Sequence, residues 1–515
     1  MRTELRKESW KPFDRFALGA VCVALALIFA YLTLFSLLYT SSFLQEGVVA
    51  EHVTRQRDPL WLNLFLVAGL LALLRLLLRF EKSLSLSWCT GILLGLVFAV
   101  GTAWSFSIRV LPRADAWACY DTAVRLAAGE PVALLDYYRL YPFQAGYTLY
   151  CELFVRLFAG QAIPAIGCAN ALLLALSYGA VLALLWDSRR SRRLQLCAMV
   201  LLALMIQPLF YIPFVYGTVP GLALSLWAVV PVQRWVRQRR WWQLPVSAVL
   251  CALAVALKPN SWIMVIALFL VLALYCLSTR RFGWLAPALA LLLVPILVLP
   301  GLQKGFEART GERLGKGTPQ AAWLAMGLQE GPRAAGWYNG YTGALLERHG
   351  FDPEAAGVQV REDIRKRLAA FAANPAYGAS FFHNKMVSQW GETTFESFLI
   401  SGAVKFTQEP PALIQQITAG EATPGLQRYM DGFTILLYLG FAAGLMLWVF
   451  GKAASKRPWE EAFAFGVLAV AIFGGWLYHM LFEAKSQYLV IYLPMMVPFA
   501  ALALASRVRL FKARS

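Results

Sequence analysis

The chain has 515 residues, of which 59% are hydrophobic and only 15% charged. Ordinary soluble domains carry about 25% charged residues, so a soluble multidomain enzyme, a disordered chain and a disulfide-stapled secreted protein are excluded. The 47 Lys and Arg against 29 Asp and Glu leave a net charge of +18, whose location decides what it implies about partners.

Apolar runs of about 20 residues are long enough to cross a bilayer as helices. In chain order they fall at 16–39, 60–79, 87–108, 163–186, 194–213, 217–233, 243–257, 261–277, 284–301, 430–450, 462–481 and 486–505. The first is too long, and too poor in small cleavage-site residues, for a removable signal peptide. The fold class predicted is an all-α polytopic membrane protein of about twelve transmembrane helices. Residues 1–301 form an N-terminal membrane module with surface helices over 113–160. Residues 302–429 form a mostly helical extracytoplasmic cap, and 430–515 the C-terminal membrane helices.

Sidedness follows from Lys and Arg in short loops. Segments 1–15, the end of the second span through 86, 187–193, 234–242, 278–283, 451–461 and 506–515 hold 25 Lys/Arg and 7 Asp/Glu. Everything else holds 22 of each. The basic excess is thus a topology signal with attraction to anionic membrane lipids, and nucleic acid loses its support as a partner. Twelve crossings put both termini inside, with 109–162 and 302–429 outside. Residues 141–159 read as an amphipathic helix on the outer surface. Glu152 and Arg156 are spaced i,i+4 on one face of it.

Of eight Cys, six lie in predicted spans as small apolar fillers. Cys119 and Cys151 fall on the outer surface helices, where two buried thiols are favoured over a disulfide. His52, His349, His383 and His479 lack metal-ligand spacing. No metal site is predicted, and a divalent metal cofactor has no motif behind it.

The chemistry clusters on the outer segments. Asp115 leads the helix of 113–131, either as a helix cap or as a free carboxylate; Asp121 lies six positions on and reads as solvated. Tyr137, Tyr138, Tyr141 and Phe143 with Arg139 form an aromatic, basic lip. Lys258 closes the seventh span, where an ammonium either snorkels or meets an anion. Glu483, Lys485, Gln487 and Tyr488 enter the last span together and suggest one polar site. Residues 319–341, 361–375 and 381–397 read as short amphipathic helices of the cap.

These segments together resemble the membrane glycosyltransferases of the C superfamily, above all bacterial relatives of the dolichyl-phosphate-mannose protein mannosyltransferases. Four matches carry the resemblance: Asp115 leading a surface helix, Tyr141-Pro142 with Gly146 and a helix ending at 157–160, Lys258-Pro259, and the Glu-x-Lys-x-Gln-Tyr entry at 483–488. The stretch from Ala322 to Gly327, Gly336-Trp337-Tyr338-Asn339, Lys385 and Trp390 resemble members from Gram-positive bacteria. Asp115 follows the third predicted span rather than the first. Arg is expected near 485 or 487, and Lys485 keeps the charge but lacks the bidentate fork of Arg.

The resemblance implies transfer of a sugar, with inversion, from a polyprenyl-phosphate donor to a glycan, lipid or protein acceptor, at the outer face of a bacterial cytoplasmic membrane. It implies Asp115 as the base, Lys258 and Lys485 with Gln487 and Tyr488 at the donor phosphate, and Tyr141, Glu483, Trp337 and Trp390 as substrate-binding candidates. Packing of the cap is the alternative role for each Trp. Other activities stay open: a transporter or flippase for a lipid-linked substrate, an O-antigen-type ligase or polymerase, or a receptor without catalysis.

Overall fold

Helix Pro12–Leu38 begins with Pro12 in its first turn, where a missing N–H costs nothing. Asp14 accepts from the Lys11 backbone N–H at 2.8 Å. The computed structural model describes residues 10–46, 50–108, 110–402, 409–451 and 457–506. The basic ends 1–9 and 507–515 and the turn 452–456, assigned above to the inner face, lie outside the described residues.

The described residues are mostly helical, as the apolar runs predict. Among the described residues, nine helices are long and apolar enough to cross a membrane. Three further predicted spans are short helices: Arg192–Leu204, Gln243–Leu257 and Tyr492–Leu504. At 1.5 Å per residue, helices of 13 to 15 residues reach only about 20 Å, two-thirds of a bilayer core. Short 3-10 turns next to two of them, Gln207–Tyr211 and Ser486–Tyr488, take up part of each predicted run.

Residues 141–159 are interrupted rather than continuous with the next span. Helix Ala145–Phe158 ends at Ala159, whose φ is +45°, and Ala162–Ser188 starts anew. The predicted Glu152–Arg156 pair forms at 2.8 Å. Glu152 also receives the Arg309 guanidinium, because Leu285–Thr310 runs well beyond the predicted end at 301.

Two ends of the chain make one core. Helix Thr423–Phe450 packs on both Tyr492–Leu504 and Pro12–Leu38. A Cβ at Gly444 would fall 1.9 Å from the Phe499 carbonyl oxygen, so glycine sets that close approach. Phe29 meets Trp390, Tyr438 and Phe441 edge-on at 4.9–5.3 Å, the arrangement favoured by ring quadrupoles. Outward faces carry Trp61, Phe65, Trp88 and Leu297, each at least 70% exposed. Exposed apolar surface on this scale suits lipid and not water.

The predicted cap is a set of helices: Gln320–Gly327, Tyr341–Arg348, Pro353–Ala373, Pro375–Trp390, Ser397–Gly402 and Ala412–Ala419. The described residues also include an antiparallel hairpin, Tyr39–Glu46 with Ala50–Arg57, for which the sequence offered no clear signal. It joins the cap where the Ser41 N–H donates to the Gly391 carbonyl at 3.0 Å.

Candidate functional site

Lys258 sits at a helix end beside Tyr216 and Tyr488. It terminates helix Gln243–Leu257, and three glycines let its backbone sit tightly among its neighbours. A Cβ on Gly146 would lie 2.3 Å from the Ala256 oxygen, and one on Gly217 1.9 Å from the Leu257 oxygen. One on Gly221 would lie 2.7 Å from the Lys258 Cβ.

The half-buried Lys258 ammonium stands 4.0 Å from the centre of the Tyr216 ring and 5.4 Å from that of Tyr488. Two ring faces stabilise a cation without neutralising it. Among the described residues no carboxylate forms an ion pair with it. Burial pulls its pKa down to about 8, opposed by the nearby carboxylates of Asp115 and Glu483 and reinforced by Lys485. Lys258 also lines a small cleft. Its walls include Leu222, Ile263, Met264, Ile491 and Met495 alongside Lys258, so a lysine lines a mostly apolar cleft between helices.

Asp115 lies in the first turn of helix Ala114–Ala128. The capping alternative fails: Arg113 occupies the N-cap, and the exposed Asp115 carboxylate makes no hydrogen bond or ion pair among the described residues. The preceding Ala114 has φ +47°, an uncommon value for a residue with a side chain. The Asp115 charge acts on Lys258, Glu483, Tyr141, Tyr216 and Tyr488, so these groups share one field. Asp121, by contrast, is paired with Arg125 at 3.0 Å.

The 483–488 segment closes the site. Tyr488 donates its hydroxyl to Glu483 at 3.1 Å. Burial raises the Glu483 pKa to about 7, against the lowering effect of Lys485 and the Tyr488 hydrogen bond. Gln487 is half-buried, and its backbone N–H donates to Glu396 at 3.2 Å. Lys485 is ion-paired with the same Glu396 at 3.5 Å.

The segment is held from the cap. The Ala484 N–H donates to the Gly336 carbonyl at 2.8 Å, and Trp337 forms an isolated parallel bridge with Ala484. Buried Lys385 donates to the Gly327 and Phe482 carbonyls, the latter at 2.7 Å. Burial lowers the Lys385 pKa to about 7.

Two expected substrate contacts are corrected. Trp390 is fully buried, 5.3 Å from Phe29 and 5.9 Å from Tyr492, with no ring face left for a ligand. Trp337 is 1% exposed and its indole N–H is spent on Ser388 at 2.9 Å. Both pack the cap onto the bundle, the alternative role noted above. Tyr141 is half-buried and meets Phe143 at 6.0 Å and Trp323 at 6.1 Å. Trp323 carried no distinguishing sequence signal, and neither did Tyr216, Gln144 or Glu396. Gln144 donates to the Tyr216 hydroxyl at 2.8 Å. Cys119 and Cys151 are both free, buried thiols in one cluster.

No family model matches the chain, and no curated protein is similar to it. Among solved structures it is similar to the archaeal oligosaccharyltransferase AglB from Archaeoglobus fulgidus, in complex with an inhibitory peptide and a dolichol-phosphate. The two are 12% identical with a TM-score of 0.37, over 79% of this chain and 49% of that one. This chain thus spans about half the length of that protein.

Proposed function

We propose that the protein is a membrane glycosyltransferase that moves a sugar from a polyprenyl-phosphate donor to an acceptor hydroxyl, with inversion. The observation that carries this reading is Lys258: an ammonium without a carboxylate partner among the described residues, on a residue that lines a mostly apolar cleft, within the field of the exposed Asp115. A lipid phosphate has the matching form, an anion on an apolar chain. The reading also takes the cap end of the bundle as the outer face of a bacterial cytoplasmic membrane, with both termini inside.

In the reaction, the acceptor oxygen attacks the anomeric carbon while the bond from that carbon to the phosphate oxygen breaks. Asp115 takes the acceptor's proton as general base. The electron pair of the broken bond stays on the phosphate, whose growing charge is stabilised by Lys258 and Lys485 more than in the ground state. Tyr488 orients Glu483 beside Lys258, and Gln487 lies next to Lys485. Tyr141, with Phe143 and Trp323, offers aromatic faces to the sugar of the acceptor or donor.

The test is binding of undecaprenyl phosphate in nanodiscs by the wild type and by Lys258→Ala. The variant is expected to lose about tenfold or more in affinity, the scale of a charge-assisted contact. Equal affinity in the two proteins would refute the assignment.

A further inference from the structure

Residues 391–396 connect helix Pro375–Trp390 to Ser397–Gly402 through an unusual turn. Phe395 and Glu396 have φ of +51° and +59°. Two consecutive side-chain-bearing residues in the left-handed region are costly and persist only when their surroundings dictate them. Here they do. The Glu392 carboxylate accepts from the Thr394 N–H at 3.1 Å and the Glu396 N–H at 2.8 Å. Ser397 donates to the Gln207 carbonyl at 3.3 Å, and Tyr211 donates to the Phe395 carbonyl. Glu392, Glu396, Ser397 and Tyr211 are all buried.

The turn aims a fixed carboxylate at the 485–487 segment. Glu396 Oε1 accepts from the Ser486 hydroxyl at 2.9 Å and the Gln487 N–H at 3.2 Å, while Oε2 lies 3.5 Å from the Lys485 ammonium. The two lysines are therefore unequal. Among the described residues Lys258 has ring faces and no ion pair at close range, whereas the charge of Lys485 is already engaged.

We propose that Glu396 is a resident counter-anion that competes with the lipid phosphate for Lys485 and so lets the product leave. This rests on the lipid-phosphate reading above. The sugar-bearing donor is a phosphodiester with one negative charge. The product is a phosphate monoester carrying about −1.5 to −2 at pH 7. A site of two unopposed ammonium groups would hold the product more tightly than the donor. A buried carboxylate fixed beside one of them reduces that bias, because like charges repel most where water is excluded. Glu396 acts through Lys485 and is a positioning residue.

The test is a titration of undecaprenyl phosphate into nanodiscs holding wild type, Glu396→Gln, Lys485→Ala, Lys258→Ala or the Glu396→Gln/Lys485→Ala pair. Glutamine keeps the acceptor oxygen for Ser486 and Gln487 and removes only the charge. Glu396→Gln is expected to bind about tenfold more tightly, and the gain should vanish when Lys485 is also replaced. Unchanged or weaker binding by folded Glu396→Gln, or a gain that survives the loss of Lys485, overturns the proposal. Should Glu396→Gln not fold, the two lysine variants decide. Lys485→Ala is then expected to cost clearly less affinity than Lys258→Ala, and an equal or larger cost overturns the proposal. A wild type that does not bind, or Lys258→Ala that binds as the wild type does, defeats the lipid-phosphate reading and this proposal with it. Lys258-dependent binding without a gain in Glu396→Gln defeats the counter-anion alone.

Discussion

Lys258 stands over the face of Tyr216, its ammonium 4.0 Å from the ring centre. The ring stabilises the cation while leaving its charge unneutralised. A carboxylate at the same distance would have cancelled the charge that an incoming anion needs.

Lys258 also gives the site a pH dependence. Its pKa is depressed to about 8 by burial, so affinity for undecaprenyl phosphate should fall as pH rises through about 8 and the ammonium loses its proton. For the apo-protein the stability effect has the opposite sign. The folded state favours neutral Lys258, so this contribution is fully present above about 10.5 and is lost as pH falls through about 8. Binding isotherms between pH 6 and 10 check the first statement. Affinity that stays flat across that range would show that Lys258 does not hold the anion.

Asp115→Asn should fold and bind undecaprenyl phosphate at least as tightly as the wild type does, with turnover lowered about 10²-fold or more, the usual contribution of a general base. Asp121→Asn is the matched control, since the Asp121 charge is spent on Arg125 at 3.0 Å. Transfer of label from a polyprenyl-phosphate sugar measures both. Near-normal turnover in Asp115→Asn would remove Asp115 from the reaction.

Gly217→Ala should destabilise the protein by about 1–3 kcal/mol, the usual cost of overpacking, because the added carbon would lie 1.9 Å from the Leu257 oxygen. The strain should also displace Lys258 and weaken phosphate binding. Gly95→Ala, with nothing within 4 Å of the new carbon, is the comparison and should be neutral or slightly stabilising. Thermal unfolding in detergent separates the two. Equal melting temperatures would show that the helix around Gly217 yields without cost.

Topology is tested by a membrane-impermeant maleimide on intact cells. Ser191→Cys and Glu347→Cys put thiols at exposed positions in the basic turn and in the cap. Six of the eight native cysteines are buried, which keeps background low. Only Glu347→Cys should react. Labelling of both positions from outside would overturn the assignment of sides.

The presence and order of the membrane helices were largely legible from apolar runs, because helices in lipid must bury their own backbone polar groups and so need long uninterrupted stretches. The runs were weakest as a guide to length. Leu285–Thr310 continues past 301, where Arg309 meets Glu152, a partner distant in the chain. At the site, Asp115, Lys258 and the 483–488 segment stood out as charges beside apolar stretches. Trp390 stood out as well, but large aromatic rings fill cores as readily as they line clefts, and only its neighbours Phe29 and Tyr492 tell the two apart.

By itself, the sequence determined the class of protein and the positions of its helices, since both follow from local composition and periodicity. The tertiary structure decided what each polar residue faces. Lys258 gained Tyr216 and Tyr488, Lys485 gained Glu396, and Asp115 was left open beside them. These relations join residues up to several hundred positions apart, and they arise from how the helices pack. No local pattern encodes a distance between two such residues.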